Sequence, residues 1–112
     1  MTDKQFLLCV SETDHYTDRA DYISDIALSS IWGDSETDSI PPQDRIEVIG
    51  QIWDACHRSV KDVAAAAGLP QRKLAERFCI PYRTMENWCN DKRSCRLYDR
   101  LMMQECLGIL KR

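Results

Sequence analysis

The chain has 112 residues, of which 44% are hydrophobic and 29% are charged, and its formal net charge is −3. This composition is typical of a soluble globular protein with one domain and a modest core. No apolar run approaches the length of a membrane span, and the apolar region near the start is too short for a signal peptide, so we expect a cytoplasmic protein.

The charges are distributed unevenly along the chain. Residues 1–60 carry 4 Lys/Arg and 12 Asp/Glu, a net −8, whereas residues 61–112 carry 11 and 6, a net +5. A basic half suits contact with DNA phosphates, which would repel the acidic half. The acidic half therefore faces away from DNA, binds another partner, or serves only to keep the protein soluble.

Six cysteines are present, but no two form a CxxC pair, and neither His15 nor His57 has zinc-finger spacing. We therefore predict no metal site and reduced thiols, several of them buried as small apolar side chains. A redox pair between Cys89 and Cys95, which flank a basic loop, is the alternative.

The first 40 residues predict an acidic helical segment. Residues 2–10 favour a short helix with Thr2 and Gln5 as a capping box, although FLLCV also fits a strand. Residues 12–17 are polar and predict a loop. Residues 17–32 predict a second helix that ends at Gly33, with one apolar face formed by Ile23, Ile26, Ala27 and Ile31.

The acidic stretch GDSETDSIPP is the best candidate boundary in the chain, so we predict an N-terminal segment 1–40 and a helical domain 41–112. Pro41 and Pro42 suit the opening of a helix that runs to about His57. Its two apolar stripes contain Ile46, Ile49, Trp53 and Cys56, and Val48, Ile52 and Ala55. A further helix is predicted to begin after a Ser59 cap and to stop at Gly68.

Residues 71–90, QRKLAERFCIPYRTMENWCN, predict two short helices joined by a tight turn. Leu74, Ala75 and Phe78 share one face of the first helix, and Met85 and Trp88 share one face of the second. Ile80 lies in the connection, and Ala75 is small where the two helices approach. This pattern is that of a helix-turn-helix, which presents its second helix to the DNA major groove.

Through the pattern LAxRFxIxxxTxxxW, the chain resembles the lambda-repressor/Cro-like (Xre-type) family of bacterial and phage regulators over about residues 59–110. The sequence departs from the family where Cys79 replaces the usual turn Gly and where Pro70 and Pro81 replace Ser or Thr before the helices. A left-handed backbone at Cys79 would cost ~1 kcal/mol. The resemblance implies an all-α fold with a helix-turn-helix core, to which residues 1–40 add a helical segment.

The last helix is predicted over about residues 96–110. Its polar residues form one narrow stripe, namely Arg100, Gln104, Gly108 and Lys111, and apolar residues occupy most of the remaining surface. So wide an apolar surface predicts cover by the N-terminal segment or by a second subunit. A homodimer through this helix suits the resemblance, since paired modules read two half-sites.

If Met85 and Trp88 point inward, the helical period turns the other side of the second helix outward, and its side chains are the predicted base readers: Tyr82, Arg83, Glu86, Asn87 and Asn90. Arg83 suits guanine, Asn87 suits adenine, and Glu86 suits the cytosine amino group. The resemblance and the basic charge predict a phosphate-contacting set: Gln71, Arg72, Lys73, Thr84, Lys92 and Arg93. The alternative is a polar solvent-facing surface with no ligand.

The sequence therefore predicts a repressor-like regulator, of a phage or mobile-element type, that binds specific double-stranded DNA. The alternative is a protein-interaction module or antitoxin-like adaptor whose acidic half docks a partner protein. We expect no enzymatic activity and no cofactor, because the chain has no Gly-rich phosphate loop, no HExxH motif and no nucleophile with a recognisable base.

Overall fold

The computed structural model describes residues 1–33 and 40–111. These residues form seven α-helices and no strands: α1 Asp3–Glu12, α2 Arg19–Ala27, α3 Pro42–His57, α4 Val60–Ala67, α5 Gln71–Arg77, α6 Tyr82–Cys89 and α7 Leu97–Cys106. The predicted all-helical class is confirmed. Within this part of the chain, no helix has both the length and the apolar content needed to cross a membrane.

Contacts divide the chain into two units, residues 1–56 with 111–112 and residues 57–110. The helix that begins at Pro42 thus belongs to the N-terminal unit, whereas the sequence analysis assigned it to the domain 41–112. The predicted boundary stretch lies mostly in residues 34–39, outside the described residues. The linker itself therefore stays a prediction.

The N-terminal unit begins with the predicted capping box. The Thr2 hydroxyl accepts from the Gln5 backbone N–H at 3.0 Å, and the Gln5 side chain accepts from the Thr2 N–H at 2.9 Å. This cap satisfies amide groups that the first helical turn leaves unpaired, so the helix is favoured over a strand. Residues 13–15, predicted as loop, form a single 3₁₀ turn directly after α1.

The second helix is shorter than predicted, because α2 ends at Ala27 and a separate 3₁₀ turn follows at residues 30–32. The Ile26 carbonyl accepts from the Ser29 hydroxyl at 2.8 Å and from the Trp32 indole N–H at 2.8 Å. These side-chain bonds compete with continuation of the helix. Leu28, which follows the end of α2, is 89% exposed.

Aromatic side chains form the centre of the N-terminal unit. The buried Tyr22 ring lies 5.0 Å from the Trp53 ring, and its hydroxyl donates to the Cys9 carbonyl at 2.7 Å. The hydroxyl therefore keeps a partner inside an apolar environment. Of the predicted α3 stripes, Ile49, Ile52, Trp53, Ala55 and Cys56 are buried, whereas Ile46 is 58% exposed.

The second unit contains α4 to α7 around one apolar cluster. Its buried members are Val60, Val63, Ala64, Leu74, Ala75, Met85 and Met103. The predicted Ser59 cap is present and forms a capping box with Asp62, and Gly68 ends α4 in the left-handed conformation at φ 69°. Gly68 has no side chain to strain that conformation, so the predicted helix stop is confirmed.

The last helix does not bury the whole of its predicted apolar surface, since Tyr98 and Met102 are 62% and 51% exposed. Gln104, from the predicted polar stripe, is completely buried. Hydrogen bonds explain this burial, because the Gln104 side chain accepts from the Arg58 guanidinium at 3.1 Å and donates to the Arg100 carbonyl at 3.3 Å. A buried amide with partners costs little.

Arg100, from the same predicted stripe, also bonds within the unit. Its Nη1 donates to the Arg58 carbonyl, and its Nε donates to the Cys95 carbonyl at 3.4 Å. These bonds connect α7 to the start of α4 and to the end of the loop that follows α6. The helix ends at Cys106, earlier than predicted, and Gly108 follows in the left-handed conformation at φ 74°.

Replacing the buried Gln104 should therefore lower the stability of the protein more than replacing an exposed apolar residue of the same helix. Gln104→Leu removes the acceptor of the Arg58 guanidinium, and we expect the free energy of unfolding to fall by ~1–2 kcal/mol. Met102→Ala is the matched control, with an expected change within ~0.5 kcal/mol because its side chain is largely exposed. Urea denaturation followed by tryptophan fluorescence measures both; equal losses in the two variants would contradict the burial of Gln104.

Candidate nucleic-acid interface

Two short helices, α5 and α6, pack against each other across a four-residue turn, residues 78–81. Leu74 and Ala75 on α5 and Met85 on α6 are 0%, 3% and 0% exposed, so the apolar faces of both helices are buried. Within the turn, the Ile80 N–H donates to the Ala75 carbonyl at 2.9 Å. This bond closes the turn directly after the last residues of α5.

Cys79 has the left-handed backbone conformation that the sequence analysis considered, with φ 54°. Its N–H donates to the Glu76 carbonyl at 3.3 Å, so the strained conformation is held by the turn. Pro70 and Pro81 precede α5 and α6 and supply no side-chain cap. Both prolines have φ values near −60°, which suit the residue before a first helical turn.

The outer surface of α6 is polar. Tyr82, Arg83, Glu86 and Asn90 are exposed, and Asn87 is half-buried, while Met85 is buried and Trp88 half-buried on the other side. The helical period thus places the predicted base-reading side chains on one surface. Their role toward DNA stays a prediction.

Two open grooves border α6. One, with a volume of about 420 Å³, is lined by Tyr82, Arg83, Glu86, Asn87, Asn90 and Lys92. The other, of about 700 Å³, is lined by Pro81, Arg83, Thr84, Asn87, Trp88, Arg93, Ser94, Arg96 and Asp99. Arg83 and Asn87 line both grooves, and the second brings Arg96 and Ser94 to the candidate site, which the sequence analysis missed.

The loop after α6 is anchored by backbone bonds. Asp91 has a left-handed backbone with φ 59°, and the Asn87 carbonyl accepts from the Lys92 and Arg93 N–H groups at 2.9 and 3.2 Å. The two basic residues are therefore placed at the C-terminal end of α6. This turn could have been predicted from the pair Asn90 and Asp91, because both residue types tolerate the left-handed conformation.

The three residues predicted to contact phosphates from α5 have different surroundings. Gln71 is half-buried, and the Lys73 ammonium lies 3.5 Å from the Glu76 carboxylate. The Arg72 guanidinium carbon lies 4.9 Å from the centre of the Tyr82 ring, a cation–π contact between α5 and α6. Arg72 is thus engaged with a residue of the candidate reading surface, which periodicity alone did not indicate.

The candidate site lies in the basic unit of the chain. Residues 57–110 carry 10 Lys/Arg and 6 Asp/Glu, a net +4, whereas residues 1–56 carry 3 and 12, a net −9, and residues 111–112 add +2. These values sum to the net charge of −3. The N-terminal unit is therefore acidic and the second unit basic, as residues 1–60 and 61–112 are.

The six cysteines are free thiols, and the two that flank the basic loop are each bonded locally. The Cys89 thiol contacts the Met85 sulfur at 4.0 Å, and the Cys95 thiol donates to the Arg96 carbonyl at 3.7 Å. Burial raises the pKa of Cys95 to about 11 and also raises the pKa of Cys89. Both groups are thus thiols rather than thiolates at neutral pH, which disfavours the redox-pair alternative.

Comparisons of the chain with protein-family models, with curated proteins and with solved structures find no match. The function of the chain is therefore inferred from the geometry of α5, α6 and the residues around them.

Thiol labelling should follow exposure and pKa. At pH 8, Cys79 and Cys106, which are exposed, should react first with a maleimide. Cys9 should react last, because burial raises its pKa to about 11. Peptide mass spectrometry after timed quenching measures the order, with urea-unfolded protein as the control; fast labelling of Cys9 in the native protein would contradict the buried position.

The strain at Cys79 gives a prediction for stability. Cys79 is exposed and its φ is positive, so Cys79→Gly should raise the free energy of unfolding by ~0.5–1 kcal/mol. The matched control is Gly68→Ala, which introduces a side chain at φ 69° and should lower it by ~1 kcal/mol. Urea denaturation measures both, and a destabilised glycine variant would show that the Cys79 backbone is not left-handed.

Proposed function

We propose that the chain binds specific double-stranded DNA through a helix-turn-helix formed by α5 and α6, as a repressor-like regulator of a phage or mobile-element type. The observation that carries the proposal is the two-sided character of α6. Met85 is buried against the partner helix, while Arg83, Glu86 and Asn90 are exposed on the opposite side. A reading helix needs this combination of an anchored inner face and a polar outer face.

The exposed side chains of α6 match the donor and acceptor pattern of base edges. The Arg83 guanidinium suits bidentate bonding to guanine, and the Glu86 carboxylate suits the cytosine amino group. The Asn87 amide suits adenine, and its place between the two grooves supports a position facing the bases. Tyr82 and Asn90 lie at the two ends of this surface.

The phosphate contacts are proposed on both sides of α6. Lys92 and Arg93 follow its C-terminal end, and Thr84 lies with Arg93, Ser94 and Arg96 along the larger groove. Gln71 and Lys73 belong to the first turn of α5. Such contacts position a protein on DNA and make its affinity depend on salt.

A homodimer remains part of the proposal, since two copies would read two half-sites. Burial of part of the apolar surface of α7 limits the residues that are available for a dimer contact. Leu101, Met103 and Leu110 are buried, which leaves Tyr98 and Met102, four residues apart, as the exposed large apolar side chains of α7. These two residues are the proposed contact with a second copy.

The alternative is a protein-interaction module, and a specific feature of the N-terminal unit favours it. Leu28 is 89% exposed, and Leu7 and Leu8 are 45% and 38% exposed in a unit with an excess of carboxylates. Apolar side chains among acidic ones suit a partner protein with a basic rim. DNA binding and partner binding by separate units are compatible, as in an antitoxin-like adaptor.

The direct test is selection from a random duplex library with the full-length protein, followed by fluorescence anisotropy on the selected site across salt concentrations. Arg83→Ala should weaken binding to that site by about tenfold or more and relax the preference at one base pair. Lys92→Ala should weaken binding to all duplexes and reduce the salt slope by about one.

Arg77→Ala serves as the matched control, because Arg77 is an exposed basic residue at the C-terminal end of α5 with no proposed DNA contact. Its affinity and salt slope should stay close to those of the wild type. If the full-length protein binds no duplex at low salt, the DNA proposal is wrong. If the full-length protein then captures one defined protein, and the Leu28→Asp variant does not, the alternative is favoured.

A further inference from the structure

Tyr82 differs from the other side chains that line the smaller groove beside α6. The six residues described there are Tyr82, Arg83, Glu86, Asn87, Asn90 and Lys92, and the other five are charged or carry amides. The Tyr82 side chain is 40% exposed at the first position of α6. The groove therefore combines polar groups with one aromatic ring at its edge.

The ring is held in place from the preceding helix. The Arg72 guanidinium carbon lies 4.9 Å from the ring centre, so that the cation is stacked on the ring across the turn. Pro81 precedes Tyr82 with φ −55°, and its ring restricts the backbone immediately before α6. A ring that is already oriented loses less conformational freedom when it binds a ligand, so the contact favours recognition.

The ligand group that complements such a ring can be deduced from the chemistry of DNA. In the major groove, each base edge presents hydrogen-bond donors and acceptors, and the C5-methyl group of thymine is the apolar feature. Arg83, Glu86 and Asn87 match the polar features. We propose that Tyr82, oriented by Arg72, recognises a thymine through its C5-methyl group.

This inference rests on the proposed DNA binding and assigns Arg72 as a positioning residue. The sequence analysis predicted that Arg72 contacts a phosphate, and the stacking on Tyr82 supports a different use of the same side chain. Arg72 would act on the bases through the tyrosine ring. Its loss would therefore change the preference for thymine and not only the overall affinity.

Deoxyuridine, which is thymine without the methyl group, provides the test. The selected duplex is resynthesised with deoxyuridine at one thymine position at a time on both strands, and the affinity of the full-length protein is measured by anisotropy. At one position in each half-site, the substitution should weaken binding about fourfold, which is the change in affinity expected when one buried methyl-sized group is lost. At the other positions, deoxyuridine should have no effect.

Protein variants then identify the residue that contacts the methyl group. Tyr82→Ala should abolish the effect of deoxyuridine at that position, whereas Tyr82→Phe, which keeps the ring, should preserve it. Arg72→Ala and Arg72→Lys should both reduce the effect to about twofold or less, because a lysine keeps the charge but not the planar stacking group. Arg77→Ala, the matched control on the same helix with no proposed DNA contact, should leave the effect at about fourfold.

The outcomes separate this inference from the proposed function. A protein that selects a specific duplex but is insensitive to deoxyuridine at every position overturns the inference and leaves DNA binding intact. An effect of deoxyuridine that is unchanged in Tyr82→Ala also overturns it. Loss of affinity in Tyr82→Phe without a methyl effect would show instead that the tyrosine hydroxyl binds a phosphate. Failure to select any duplex overturns both proposals.

Discussion

The packing of α5 against α6 is the constraint on which the candidate interface depends. Ala75 is small and buried, which allows the helices to approach, and its carbonyl accepts the Ile80 N–H that closes the turn. Closing the turn in so few residues requires a left-handed residue, and Cys79 adopts that conformation at a cost of ~1 kcal/mol. The strain is tolerated because burial of Leu74 and Met85 in the same contact offsets it. The orientation of α6 is thus determined by side chains that never face its outer surface.

A second set of contacts determines where the basic loop after α6 lies. Arg100 donates to the carbonyls of Arg58 and Cys95, and the buried Gln104 accepts from Arg58, so polar bonds join the start of α4, the end of the loop and α7. In a unit of this size the apolar core is small, and directional bonds specify one arrangement more sharply than apolar contacts do. The position of Arg96, which follows Cys95, therefore depends on groups outside the set proposed to contact DNA.

The comparison between prediction and structure shows which features local sequence determines. The Thr2 capping box and the Ser59 cap involve residues three apart, so the sequence was sufficient to predict them. The burial of Gln104 in α7 was not predicted, because it depends on Arg58, which is 46 residues distant in sequence. The same limitation applies to the candidate site. Helical period was sufficient to place Tyr82 and Arg83 on one surface, but the stacking of Arg72 on Tyr82 depends on the angle between two helices.

Charge and shape contribute differently to the proposed recognition. The +4 of residues 57–110 would attract any nucleic acid, and that attraction is screened by salt and carries no sequence information. Discrimination requires side chains whose orientation is limited before binding, and Tyr82 has such support from the Arg72 guanidinium on α5. Arg83 and Asn87 line both grooves beside α6. The specificity of this surface would therefore depend most on Tyr82, with Arg83 and Asn87 adapting to the neighbouring bases.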